Sequence, residues 1–290
     1  MPSSRLLGSF RPLGGAWFLA GGLLFTSPGL AATIPPPVDK SGDSWAHPTP
    51  DGALREMTTD RPDATESPFT VDAGRVQLEM DFFNHTRSEP AGVRVRQWSL
   101  AAFNLRLGIN RDLEAGLFLA PWTRVTEEPG SGAKETSKGF GDVTLRVKYN
   151  FWGNDGGGSA GGIVGDLTLP TAAHGLGSGR VEGQVLLPVA FDLNGGFGLG
   201  AMTGVEFRSR TSGFGPVWVN SLSLGRDWTE TLGSYFELTS STGDGAHVAT
   251  LDVGLTYKVS AHTQLDGGVC FGLSRGADDV VIFTGLAHRF

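Results

Sequence analysis

The densest polar motif in this 290-residue sequence is Thr59-Asp60-Arg61-Pro62-Asp63-Ala64-Thr65-Glu66-Ser67-Pro68-Phe69-Thr70-Val71. Asp60, Arg61, Asp63 and Glu66 offer ion-pairing and charge selection rather than bond-breaking chemistry. Sets that would break bonds are missing. Outer-membrane hydrolases of barrel type carry His and Ser two apart on one strand, so that both side chains share a face. None of the six histidines (His47, His85, His174, His247, His262, His288) is followed two residues on by Ser. There is no HExxH and no paired-histidine spacing for a metal. Gly196-Phe197-Gly198-Leu199-Gly200 has the glycine spacing of a nucleotide loop, but it sits inside an alternating strand with no helix after it. Asp278-Asp279 is one carboxylate pair without further ligands. The lone cysteine, Cys270, rules out an intramolecular disulfide and reads as a small apolar strand residue. The expectation is a non-enzyme with no catalytic residue, no metal and no cofactor.

The elements that would position the charged motif alternate with period two. In 142–152, Val143, Leu145, Val147, Tyr149 and Phe151 share one face, and Asp142, Thr144, Arg146, Lys148 and Asn150 the other. A helix would scatter these apolar residues around its circumference; a strand sets them outward toward lipid and turns the charges into a wet lumen. Val76, Leu78, Met80 and Phe82 alternate in the same way with Gln77, Glu79 and Asp81. So do Phe103, Leu105, Leu107 and Ile109 with Asn104 and Arg106, and Leu251, Val253, Leu255, Tyr257 and Val259 with Asp252 and Lys258.

The fold class read from this is all-β: a transmembrane antiparallel β-barrel of about 12 strands, an even number as in bacterial single-chain barrels. The expected strands are 74–86, 93–109, 113–126, 140–152, 159–169, 183–193, 197–210, 216–228, 232–240, 247–259, 263–273 and 280–290. Short links (110–112, 153–158, 194–196, 229–231, 260–262) alternate with longer ones (87–92, 127–139, 171–182, 211–215, 241–246, 274–279), which predicts both termini on the periplasmic side. Trp98, Trp122, Trp152, Trp218 and Trp228 fall near strand ends, where an interfacial girdle would lie. The competing architectures are a secreted sandwich or propeller. Those would turn the apolar face inward, and no blade repeat of about 40 residues is visible.

The chain closes on Val280, Ile282, Thr284, Leu286, His288 and Phe290 along one strand face. A terminal aromatic inside a strand resembles the signal that the barrel insertion machinery reads. At the other end, Arg5 and Arg11 precede an apolar, glycine-rich run at 13–25, with small residues at Gly29-Leu30-Ala31. This reads as a secretory signal over 1–32, the alternative being an uncleaved anchor. No later stretch has 18 apolar residues, which excludes a later helical span. Residues 33–57, with Pro35-Pro36-Pro37 and His47-Pro48-Thr49-Pro50, read as a flexible or extended linker before a barrel at 74–290. A net charge of −7 and an isoelectric point near 5.4 argue against nucleic acid as a partner. A mean hydropathy of −0.07 suits alternating strands that average to near neutral.

Residues 58–73 cannot lie in lipid, because charges and backbone would go unsatisfied, and Pro62 and Pro68 keep them from pairing in a sheet. They are expected either to plug the lumen or to cap the periplasmic mouth. In the lumen Arg61 would meet acidic lining residues, and Asp60, Asp63 and Glu66 would meet Arg106, Arg146 or Lys148. Glu79, Arg106, Arg146, Lys148 and Asp252 are the candidate lumen residues that would tune selectivity.

The opening motif, with Gly74 and Gln77-Leu78-Glu79 after it, resembles the start of the family named for a MetA pathway of phenol degradation. Gly139-Phe140-Gly141-Asp142-Val143, Leu169-Pro170-Thr171, the later strands and Phe290 are similar to it too, so the resemblance covers roughly 57–290. It implies a Gram-negative outer-membrane barrel embedded in lipid, passing aromatic or other hydrophobic small molecules. The alternatives are a non-conducting structural or adhesion barrel and, less favoured, a barrel enzyme.

Overall fold

The computed structural model describes residues 39–290 other than 131, 194, 211, 212 and 244. The expected signal peptide and the first part of the expected linker, 33–38, lie outside the described residues.

Twelve antiparallel strands close into a barrel. They are β1 (Val76–Ser88), β2 (Val93–Leu100 and Phe103–Gly108), β3 (Leu113–Leu119 and Trp122–Pro129) and β4 (Glu135–Gly139 and Val143–Trp152). Next come β5 (Ser159–Leu169), β6 (Glu182–Leu193), β7 (Phe197–Arg210) and β8 (Gly213–Asp227). The last four are β9 (Leu232–Gly243), β10 (Ala246–Ser260), β11 (Thr263–Gly272) and β12 (Val280–Arg289). Each strand pairs with its neighbours in sequence, and β12 closes on β1 from Gln77↔Arg289 to Arg87↔Val280. The Phe290 amide donates to the Val76 carbonyl at 2.9 Å, so the terminal residue takes part in closure.

The alternation sets inside and outside as the sequence suggests. On β4, Leu145, Val147, Tyr149 and Phe151 are 44–54% exposed, while Arg146 and Lys148 are 3% and 0% exposed. A sandwich core would show the reverse. Trp152 and Trp228 lie toward the chain-terminal end, and Trp98, Trp122 and Trp218 in the other half, all with exposed faces.

Two expectations about the strands change. The breaks in β2 and β3 at 101–102 and 120–121 interrupt segments expected to be continuous, while β4 gains Glu135–Gly139 from the expected 127–139 link and breaks at 140–142, where the strand was expected to begin. Ala101 has φ 52°, and Pro121 has no N–H for a ladder bond. The breaks are bridged by the Asp81 amide to the Ala102 carbonyl and the Gly141 amide to the Ala120 carbonyl, both 2.8 Å. Several expected long links are short as well, because strand pairing runs on past them. Glu127↔Glu135 continues the β3–β4 hairpin, and Gly243↔Ala246 ends the β9–β10 hairpin. Pairing satisfies each backbone N–H and C=O, so the ladder has reason to extend beyond the lipid.

Residues 39–57, expected as flexible linker, are tied to one end of the barrel. Ser44 bridges to Asn110, the Trp45 amide donates to the Ile109 carbonyl at 2.7 Å, and the Thr49 amide donates to the Ala73 carbonyl at 3.0 Å. A prolyl stretch that cannot join a sheet still satisfies its remaining groups against the strand turns.

Candidate functional site

Residues 58–73 run through the lumen. The path begins beside β1, where the Gln77 side chain donates to the Thr58 carbonyl (2.8 Å) and the Asp60 amide donates to both Glu79 carboxylate oxygens (3.0 and 3.1 Å). Arg61 then spans β1 and β11: it donates to Asp81 (2.5 Å) and, through two nitrogens, to Asp266 (3.1 and 2.7 Å). The segment crosses to the far wall, where the Ala64 amide and Thr65 hydroxyl donate to Glu237 of β9 (2.5 and 2.6 Å). The Thr65 hydroxyl also meets Ser221 of β8 at 2.8 Å.

The return runs along β4, β2 and β3. Arg146 donates to Glu66 at 2.7 Å and grips Asp166 of β5 with two bonds of 2.8 and 2.7 Å. Asn150 donates to the Pro68 carbonyl (2.8 Å), and the Val71 amide donates to Glu114 of β3 (2.8 Å). Prolines at 62 and 68 remove two backbone donors here; lumen carboxylates take the Asp60, Ala64 and Val71 amides, and Asn154 takes that of Thr70 at 3.1 Å.

Asp60 sits at the centre of the charged half. Lys148 donates to it at 2.5 Å, and Arg106 and Arg146 approach it to 3.3 and 3.7 Å. Arg106 also binds Glu114 through two nitrogens (2.8 Å each) and Glu79 at 2.7 Å. Buried cations and carboxylates tolerate a dry interior only when so paired, and removing one partner strands the other.

Every candidate residue therefore faces the lumen, and Asp60, Glu66, Glu79, Arg106, Arg146 and Lys148 come together in one cluster. Arg61 lies in a second, with Asp81 and Asp266. Asp252 stands apart on β10, accepting from the Tyr235 hydroxyl at 2.9 Å. Asp63 lines a cavity on the other side of the segment. Sequence reading did not single out Glu114, Asp166, Glu237, Asp266 or Tyr235 as site residues. Their signal was parity: each sits on the inward face of its strand.

A third cluster pins the chain-terminal end. Asp72 accepts from Arg55 Nε (2.8 Å) and Lys40 (3.2 Å) and lies 3.4 Å from Arg289. Burial alone would raise the Asp72 carboxyl, but Arg55 and Lys40 outweigh it and hold the group below the ordinary carboxylate range. Asp155, in the β4–β5 turn, is lowered in the same way: Arg111, Arg55 and Lys40 outweigh burial.

Between the lumen segment and β5–β8 lies a cavity of about 880 Å³. Thr65, Pro68 and Phe69 border it on one side, Ala160, Ala190 and Gly200 on the other, with Arg55 and Asp72 toward the chain-terminal end.

A sequence profile described as Putative MetA-pathway of phenol degradation matches residues 59–290. No curated protein matches the sequence. Among solved structures, the COG4313 outer membrane channel from Pseudomonas putida F1 is similar, with a TM-score of 0.58 at 15% identity over 80% of this chain and 100% of that one. The NanC porin aligns with a TM-score of 0.49 at 10% identity, over 72% of this chain and 98% of that one. The first of these shows a shared outer-membrane-type barrel fold.

Proposed function

The chain belongs to this phenol-degradation family, and from that premise we propose that it is a Gram-negative outer-membrane channel for small solutes of aromatic or other apolar character, with residues 58–73 as its plug. The observation that carries the reading is the course of that segment. It crosses the lumen on ion pairs to β1, β2, β4 and β11, and a cavity remains on its other side. Glu79, Arg106, Arg146 and Lys148 then act chiefly by holding the plug, since their charges are spent on it and on each other. Asp252 remains a lumen carboxylate outside that anchoring. The role is transport rather than catalysis.

Lipid would surround the exposed apolar belt. Both termini would face the periplasm: Phe290, the tethered 39–57 segment and the tight 110–112 and 261–262 turns all gather at one end. Phe290 would be the residue presented to the insertion machinery. Membership of that family, and the barrel fold shared with the COG4313 outer membrane channel, support this reading.

The test is single-channel conductance of the refolded protein in a planar bilayer, with and without residues 58–73. Deletion is expected to raise conductance several-fold, and an unchanged conductance would sink the plug. The second reading, a non-conducting structural barrel, draws on the complete burial of Asp60, Arg61 and Lys148. It predicts stable insertion with no current steps.

A further inference from the structure

The two halves of the lumen differ in chemistry. β1–β4 face the segment with paired charges, whereas β5–β8, apart from Asp166 farther along β5, face it mainly with small residues. Cross-strand register places Ala160, Ala190, Gly200 and Ser223 in one row across four strands. Above that row Met202 pairs with Pro188, and Val164 with Leu186, on the same inward face. Val164 and Leu186 are 0% and 3% exposed, while their outward neighbours Val185 and Leu187 are 41% and 45% exposed. Apolar side chains turned into a lumen run against the alternation of a water-filled pore.

The small row does two things. At Gly200 a Cβ would come within 3.1 Å of Thr65 Cγ2, so the plug packs against bare backbone there. Elsewhere the missing side chains leave the cavity of about 880 Å³, within the range of pockets that hold small organic ligands. Part of its charged lining is paired, Asp72 with Arg55 and Lys40 and Asp155 with Arg111, while Asp192 has no ion pair among the described residues. Ser223 is different: only 5% exposed, it lines the cavity, and its hydroxyl has no hydrogen-bond partner among the described residues.

We infer that this cavity is the solute-binding site of the channel and that it takes an uncharged ring compound bearing a hydroxyl. The ring lies between Phe69 of the segment and Ala190 of the wall, both of which border the cavity. The solute hydroxyl meets Ser223. An anionic solute is disfavoured, because the lining carries six carboxylates against four cations. This deepens the channel reading and rests on it.

The probe is phenol, applied to single channels of the wild type, Ala190→Leu, Ser223→Leu and, as a control on the opposite wall, Thr123→Val. Heat-modifiable migration confirms that each barrel is folded. The wild type is expected to be blocked, with half-blocking concentrations at least ten-fold higher in A190L and S223L and unchanged in T123V. Block that A190L and S223L do not weaken overturns the site while leaving the channel standing, and so does a conducting wild type that phenol never blocks. If no variant conducts, the channel reading fails, and the site is judged by thiol labelling of Ser223→Cys in a Cys270→Ser background. Slowing of that labelling by phenol supports the site; unaltered labelling overturns it.

Discussion

Arg61 and Asp266 are 205 residues apart in the chain, yet the guanidinium binds both oxygens of that carboxylate, at 3.1 and 2.7 Å. The pair joins the segment before the first strand to the strand before the last, and Asp81 of β1 completes it. The lumen segment is thereby fixed to the seam region where the barrel closes.

Replacing Arg61 with Ala strands Asp81 and Asp266 as buried unpaired carboxylates. A loss of about 3–5 kcal/mol from the anchoring of the segment is expected. Single-channel records of R61A should show raised or flickering conductance. Arg61→Lys should restore little of it, because one ammonium cannot reproduce the planar fork. Quiet wild-type currents in R61A would mean that the anchor lies elsewhere.

The Asp72 cluster predicts a pH dependence. A carboxylate whose folded pKa is lowered adds stability above its unfolded pKa, and that stability is lost as pH falls through the folded value. Asp72 and Asp155 are both lowered. Protease resistance of residues 39–57 should therefore hold from pH 7 to 5 and fail only below about pH 4. Asp72→Asn should be cleaved at pH 7, since Lys40, Arg55 and Arg289 would all lose their shared partner.

Gly108 marks a close approach of backbones. A Cβ there would lie 2.0 Å from the Asp72 carbonyl oxygen and 2.6 Å from that of Val71. Gly108→Ala must push the end of the segment off β2, at a cost of about 1–3 kcal/mol. The midpoint of heat-modifiable unfolding should fall, and an unmoved midpoint would contradict this packing.

Val147, 54% exposed on the outer face of β4, tests the lipid contact. An arginine on the lipid face of a barrel costs about 2–4 kcal/mol near the bilayer midplane. Urea unfolding of Val147→Arg in lipid vesicles should show a loss of that order, whereas an exposed site in water would show almost none.

Phe290 separates assembly from fold. Phe290→Ala keeps the backbone bond to Val76. The refolded protein should therefore conduct as the wild type does, while the amount reaching outer membranes in cells falls. Equal amounts in membranes would remove Phe290 as the recognised residue.

The sequence by itself determined the strands and their faces. Side-chain alternation has period two and is local, so Leu145, Val147, Tyr149 and Phe151 declare an outer face, and Arg146 and Lys148 an inner one, without knowledge of any neighbour. It also singled out 58–73 as a segment that neither lipid nor sheet could accept. The alternation already pointed to Arg106, Arg146 and Lys148 as partners for the segment's carboxylates, but only the tertiary structure decided which pairs form. Asp60 gathers Arg106, Arg146 and Lys148, and Arg61 finds Asp266, because closure of β12 on β1 and the register between strands set which inward residues share a level. The row of Ala160, Ala190, Gly200 and Ser223 was equally hidden. Each residue is unremarkable in its own strand, and only lateral pairing lines them up to leave space beside the plug. Period is written along one chain segment, whereas register and closure belong to the whole sheet.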